Sequence, residues 1–268
     1  MIAVKSKKKL TERFGRLVES GQELRLYQKA TRIGRVISTG MPGYTAFQNM
    51  MRDIMSTLEQ TKTVRDKDDY ASFVFQIKPQ VLAIAEEAAA KYMLKVVKES
   101  AMIHKGNVEF GFEKLFGTDA TVVIPELFWE ESAQEILAAT ARLKSGVEKM
   151  IDATADPDKA EAVKAGWRDM TGKRLRDEAW KAQAATAKRV QAYSGVSSYV
   201  WVTRKDERVV GNPVGLYPQG TDEHGDHWSR DGQVFRWDSP EHDGHPGEAF
   251  GCRCEAVPMI SLNNPELV

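Results

Sequence analysis

The chain has 268 residues, 42% of them hydrophobic, enough to fill the core of one large domain or two modest ones, so disorder as the main state is excluded. Lys plus Arg number 38 and Asp plus Glu 38, a formal net charge of +0, so no global field draws the chain to nucleic acid or membrane and any electrostatic partner is met locally. No apolar run reaches the about 18 to 20 residues that span a bilayer. Met1-Ile2-Ala3-Val4 runs into Lys5-Ser6-Lys7-Lys8-Lys9 without the apolar stretch of a signal peptide, which reads as a soluble protein kept in a cytoplasm.

Residues 1–16 form a basic arm in which Lys5, Lys7, Lys8, Lys9, Arg13 and Arg16 face only Glu12. Such a run is either a solvated terminus or an arm that touches phosphates or an acidic protein surface, and the second reading makes Lys5, Lys7, Lys8 and Lys9 candidate DNA contacts. Residues 17–195 read as a helical region, with breaks expected at Gly34, Gly40 to Gly43, Pro79, Gly106 to Gly117, Pro125 and Pro157. Tyr44, Phe47, Met50, Met51, Ile54 and Leu58 recur at steps of three and four, as do Val81, Ile84, Ala85, Ala88, Tyr92 and Val96, the spacing of helix faces that want a partner. Alanine-rich stretches at 133–153 and 160–193 have strong intrinsic helix preference, and Gly195 closes the last long helix.

After Gly195 the period changes from about 3.6 to 2. Ser198 to Thr203, Gln233 to Trp237 and Arg253 to Val257 read as short strands, and the Gly-, Pro- and acid-rich 211–226 stretch as an exposed loop. The expectation is an α+β chain: a mainly helical N-terminal region, a boundary near 195, a small C-terminal domain of short strands over 196–260, and a tail at 261–268.

Four of the five histidines fall between 224 and 245, and Cys252 and Cys254 follow at once. His227, His245, Cys252 and Cys254 offer two imidazoles and two thiolates, a set that a tetrahedral zinc ion accepts as a structural staple. The alternative is a hydrogen-bonded polar core, since the Cys-x-Cys step is tighter than the usual knuckle. His224 and His242 sit in loops, and His104 stands alone at an expected helix end. A catalytic reading would add Asp206 or Glu207 as a carboxylate base, but no His-Glu-x-x-His, Gly-x-Ser-x-Gly or phosphate-cradling loop accompanies it, so the chain is not read as an enzyme. Asp206-Glu207-Arg208 is more simply a charged turn after a strand, with Arg208 forking onto a carboxylate.

Read in order, these segments resemble the C-terminal domain of the bacteriophage Mu protein F family of minor head proteins, the phage head morphogenesis proteins. The resemblance is carried by Arg176-Asp177, Gly195-Val196, Tyr199, Trp201, Asp206-Glu207-Arg208-Val209, His227, Asp231-Gly232, Phe235, Trp237, Gly244-His245-Pro246-Gly247-Glu248 and Cys252-Arg253-Cys254. Two departures stand out: Val210 to Asp226 separates the Asp-Glu-Arg-Val stretch from His227, and Phe250-Gly251 precedes the first cysteine in place of a polar pair. The resemblance implies a virion component at the head interior or portal vertex, in the host cytoplasm during assembly. It would act in head morphogenesis and in DNA packaging or ejection, with the portal protein, a major capsid or scaffold protein and packaged DNA as partners. Two alternatives remain open: a metal-dependent nuclease, hydrolase or toxin-like enzyme, and a DNA-binding accessory protein.

Overall fold

The computed structural model describes residues 14–20, 23–28, 42–62, 67–116, 121–156, 163, 166–167, 173–220 and 225–261. In chain order they form strands β1 (Phe14–Ser20) and β2 (Glu23–Gln28), helices α1 (Pro42–Lys62), α2 (Lys67–Phe116), α3 (Glu126–Thr154) and α4 (Leu175–Tyr193), and strands β3 (Ser198–Val202), β4 (Val234–Arg236) and β5 (Glu255–Ser261). The fold is α+β, as expected. No helix among the described residues is long and apolar enough to cross a membrane.

Contacts divide the chain into two compact units. One comprises Val36–Lys98 and Glu130–Ala182; the other comprises the described parts of Met1–Arg35, Glu99–Trp129 and Gln183–Val268. The expected boundary near 195 is therefore not where the structure divides, because the unit that holds the strands also takes in two helical segments from earlier in the chain.

The helical unit is built on the stripes seen in the sequence. Met51 and Leu58 of α1 are buried, and so are Tyr70, Val74, Val81, Ala85, Ala89, Tyr92 and Val96 of α2, while Ile84 is exposed. Pro79 does not break α2. A proline inside a helix costs about 3 kcal/mol, but each large apolar side chain buried nearby returns about 1.5 to 3 kcal/mol, so the stripe outweighs the missing hydrogen bond. Two ion-pair sets cross between helices within this unit: Lys78 meets Asp152 at 2.7 Å and Glu148 at 3.0 Å, and Arg142 forks onto Glu178.

The expected break at Gly106 to Gly117 is likewise absent, since α2 runs through to Phe116. A side chain at Gly111 would collide with Ile260 of β5, so the glycine allows the helix to lie close on the strand. Around this contact Val108, Val122, Val196 and Ile260 form one buried cluster. At the other end of the unit's helical part, α4 stops in a Schellman turn. Gly195 has φ 69°, its N–H donates to the Ala192 carbonyl, and the Val196 N–H donates to the Gln191 carbonyl at 2.8 Å.

The five strands lie in the order β1-β2-β5-β3-β4, with every pairing antiparallel. The β1–β2 hairpin corrects the helical reading of the region that starts at 17. Glu23-Leu24-Arg25-Leu26 alternates polar and apolar residues at period 2, and β2 gains β5 as a neighbour through Arg25↔Ser261 and Leu26↔Ile260, a pairing no local pattern announces. Arg16 of the basic arm lies in β1 and Ser261 of the expected tail lies in β5. Lys5, Lys7, Lys8 and Lys9 fall outside the described residues, as do His224 and residues 262–268.

β5 carries a proline in the middle of the sheet, at the pair Tyr199↔Pro258. Trp201 exchanges hydrogen bonds with the β4 side, its N–H to the Gln233 carbonyl and its carbonyl from the Gly232 N–H. By alternation Tyr199 also directs its backbone polar groups toward β4, so Tyr199↔Pro258 is a non-hydrogen-bonded pair of the β3–β5 ladder. On the opposite edge β2 pairs only from Ile260 onward. The missing proline N–H therefore removes no ladder bond.

Candidate metal centre

The alternation of β3 and β5 sets two faces. Val200, Val257 and Met259 share one buried cluster; Tyr199, Trp201 and Ala256 share another with Cys252 and Cys254. The cysteines lie between the turn that the Cys252 N–H closes onto the Ala249 carbonyl and the start of β5, and where a chain is extended residues i and i+2 fall on the same face. This is the physical sense of the Cys-x-Cys step: both cysteines join the buried cluster of Trp201, and the intervening Arg253 turns to a different partner. Arg253 is held by Asp206, whose carboxylate receives Nη1 at 2.8 Å and Nη2 at 2.7 Å. The expected fork thus belongs to Arg253 and not to Arg208, whose backbone N–H instead caps Asp206 Oδ1 at 3.0 Å. The same Arg253 fork holds the Asp206 carboxyl below its usual range. Glu207 is exposed.

His227 reaches the thiols from a turn. After the Asp-Glu-Arg-Val stretch the chain turns back on itself: the Gly211 N–H donates to the Tyr217 carbonyl at 2.8 Å and the Leu216 N–H to the Glu207 carbonyl at 2.6 Å. The Trp228 N–H donates to the Val210 carbonyl at 3.0 Å, which sets His227 beside Val210. Gly211 sits at φ +86°, and a side chain there would overlap the Asp226 carboxylate.

The ring of His227 is fixed on both edges. Nε2 lies 2.7 Å from Asp243 Oδ2, and Nδ1 lies 3.6 Å from Cys252 Sγ and 3.6 Å from Cys254 Sγ. The Asp243 side chain is fully buried and receives two further donors, Arg230 Nη1 at 2.7 Å and the Gly225 N–H at 2.8 Å. The Gly247 N–H points at Cys252 Sγ from 3.3 Å. The donor atoms of His227, Cys252 and Cys254 all lie within 4.8 Å of one another, and the three residues are buried, so they form a cluster able to hold a metal ion.

Both sulfurs approach the same ring nitrogen. A hydrogen bond needs one sulfur, whereas a shared ion needs both. Zinc bonds of about 2.3 Å to sulfur and about 2.0 Å to nitrogen at a tetrahedral angle put S and N about 3.5 Å apart, close to the separation found at each thiol. The electrostatics are those of a coupled, charged cluster whose protons an incoming ion would have to displace. Burial alone would push the Asp243 carboxyl up, but hydrogen bonds from Arg230, His227 and Gly225 override it and hold the group at about 2. Burial likewise opposes charge on His227, and its contacts with Cys252 and Asp243 overcome that and raise it. Cys254 and His227 hold the Cys252 thiol well below its ordinary value, while the Cys252 neighbour and burial push Cys254 up.

His245, the fourth expected ligand, is not in this cluster. Its Nδ1 is 2.9 Å from the Tyr199 hydroxyl, it makes a backbone hydrogen bond with Trp237, and its own N–H donates to Glu248 Oε2 at 2.8 Å. Burial lowers its ring below the ordinary histidine value. His245 is thus part of an aromatic group with Tyr199 and Trp237, whose ring centroids lie 5.7 and 4.8 Å from its own. His242 is exposed, as expected for a loop histidine. His104, taken as a helix-end residue, lies inside α2, fully buried, with its Nε2 2.9 Å from Gln183 Nε2. Asp243 and Arg230 belong to no motif in the sequence, and Arg253 stands there only as the middle of Cys252-Arg253-Cys254. The only local trace of Asp243 was a carboxylate two residues before a histidine in the Asp243-Gly244-His245 stretch.

No protein-family model matches the chain, and no solved structure matches it. It is similar to an uncharacterized protein of Haemophilus influenzae, with 32% identity over 94 residues. That segment covers 35% of this chain and 18% of the relative, so the chain spans less than a fifth of the protein it matches.

Proposed function

We propose that the protein is a phage minor head protein of the Mu F-like kind, an assembly factor and not an enzyme, working at the portal vertex or head interior with portal, capsid or scaffold proteins and packaged DNA. The observation that supports this reading is the convergence of most of the segments that carry the resemblance; Arg176-Asp177 belongs to the other unit. Spread from 195 to 254, they meet as one built unit. Trp201 packs on His227, Tyr199 on Phe235, Trp237 and His245, and Asp231 caps Thr203, while Asp206 clamps the residue between the two cysteines. In the same reading the ion is zinc in a structural role, fastening the turn of His227 to the start of β5.

The metalloenzyme alternative draws less support. Beside the cluster lies a pocket lined by Arg204, Arg208, Arg253 and apolar residues, and its lining includes no Asp or Glu that could serve as a base. The test is co-expression of the full chain with a phage portal protein, followed by assay of procapsids assembled in its presence. Co-purification of the pair, and incorporation of the chain into procapsids, are the expected results. A chain that neither binds portal nor enters procapsids would overturn the proposal.

A further inference from the structure

We infer that the His227–Cys252–Cys254 cluster is an open metal site: three protein atoms hold the ion, and its fourth position faces the arginine-lined pocket, where a small oxyanion, carboxylate or phosphate in chemistry, completes the shell. The inference rests on the reading that a zinc-type ion binds here, and it adds the exchangeable ligand.

Three observations carry it. First, no fourth His, Cys, Asp or Glu among the described residues joins the cluster. The nearest in sequence pattern, His245, has its Nδ1 on the Tyr199 hydroxyl at 2.9 Å and packs against the rings of Tyr199 and Trp237. Asp243 is spent on the far edge of the His227 ring, on Arg230 and on the Gly225 N–H. Sites that bind zinc through three protein ligands keep the last position for water or another exchangeable ligand.

Second, the position opens onto space. All three ligand residues line one pocket of about 370 Å³, counting its open mouth, together with Arg204, Arg208, Val209, Val210, Phe250, Gly251 and Arg253. The thiols are buried from the rest of the surface, so this pocket is the route by which a ligand reaches the ion.

Third, the charge there favours an anion. Two thiolates neutralise a divalent ion; of the three guanidiniums of the lining, Arg253 pairs with Asp206 at 2.7 Å, and Arg204 meets Glu255 at 2.5 Å, whose carboxyl burial pushes up to about 8 against the pull of Arg204. The exposed Arg208 leaves one positive charge at the mouth. An oxyanion bound to the ion lies within reach of that charge, and guanidinium matches carboxylate or phosphate geometry.

The experiment loads the full chain with cobalt(II) in place of zinc and records its visible absorption. Cobalt bound by two thiolates and one imidazole shows sulfur-to-metal charge transfer and tetrahedral ligand-field bands, both lost in Cys252→Ser. Azide, inorganic phosphate and acetate are then titrated separately, azide as a probe that coordinates cobalt directly. The expected result is a saturable change in the ligand-field bands, with Arg208→Ala weakening phosphate or acetate binding about fivefold and leaving cobalt affinity unchanged. A response to phosphate alone, or to acetate alone, assigns the source of the oxyanion; a response to azide with neither oxyanion overturns the oxyanion part. Bands that ignore all three anions mean a closed shell and overturn the inference while the zinc reading stands. Absence of any thiolate–cobalt band overturns both. His245→Ala leaves the wild-type bands in place if the site is open, and alters them if His245 is the missing ligand.

Discussion

Asp243 offers the sharpest test of how the cluster is held. Three donors converge on its buried carboxylate: the His227 Nε2 edge at 2.7 Å, Arg230 Nη1 at 2.7 Å and the Gly225 N–H at 2.8 Å. In Asp243→Asn one oxygen becomes an NH₂, and a single acceptor oxygen is left for three donors. The Arg230 guanidinium, charged and buried, keeps the oxygen. The amide NH₂ then faces His227 and Gly225. His227 has to present a lone pair at Nε2 and carry its proton on Nδ1, the atom that faces both sulfurs. The variant loses one charge-assisted hydrogen bond, about 1.5 to 3 kcal/mol, and leaves the Gly225 N–H unpaired, about 1 to 3 kcal/mol, so the metal-free chain loses about 2.5 to 6 kcal/mol. Zinc affinity falls as well, because the wrong tautomer puts a proton where the ion belongs; changes of such outer partners cost about 10- to 100-fold. Competition against a chromophoric zinc chelator reads the affinity, and urea unfolding followed by tryptophan fluorescence reads the stability. A variant that binds zinc within twofold of wild type and unfolds at the same urea concentration would refute both the tautomer assignment and the metal assignment.

His104 makes stability depend on pH. Burial holds its imidazole at about 3, so the folded state refuses a proton that the unfolded chain takes up near 6.5. The folded value is depressed, so its contribution is intact above about 6.5 and is lost as pH falls toward about 3. The slope is up to about 1.4 kcal/mol per pH unit, or about 2 kcal/mol between pH 7 and 5. Urea unfolding of His104→Leu across that range should show a slope flatter by this amount, and an unchanged slope refutes the assignment. Gln191, fully buried, donates to the Ala256 carbonyl and accepts from Trp237 Nε1, both at 3.0 Å. Gln191→Leu leaves those two groups unpaired and is expected to lower unfolding free energy by about 2 to 4 kcal/mol, measured in the same assay. Changing Lys5, Lys7, Lys8 and Lys9 to Ala should weaken DNA retention and reduce its salt slope by about 3 to 4 if the arm contacts phosphates; unchanged retention and slope remove that role.

Much of this protein follows from local pattern alone. Stripes at steps of three and four marked the α1 and α2 faces, and Met51, Leu58, Tyr92 and Val96 are buried as such stripes require, because helix periodicity is a local property of the chain. The stop at Gly195 and the strands β3 and β4 were equally legible, since a positive φ and period-2 alternation leave their mark within a few residues. Clustering of His and Cys in the last seventy residues located the candidate centre. Composition could not say which of those side chains converge.

That selection was made by tertiary structure. Cys252 and Cys254 join the buried cluster of Trp201 just before β5, and His227 joins them because the Trp228 N–H bonds the Val210 carbonyl and sets it beside Val210. His245 is withdrawn by a tyrosine 46 residues away, and Asp243 is recruited from 16 residues away. The β1–β2 hairpin, the strand partner β5 and the passage of α2 through Pro79 share this origin. Each is decided by energy gained from residues distant in sequence, a burial or a ladder that outweighs the local preference, and such gains exist only once the chain has closed on itself.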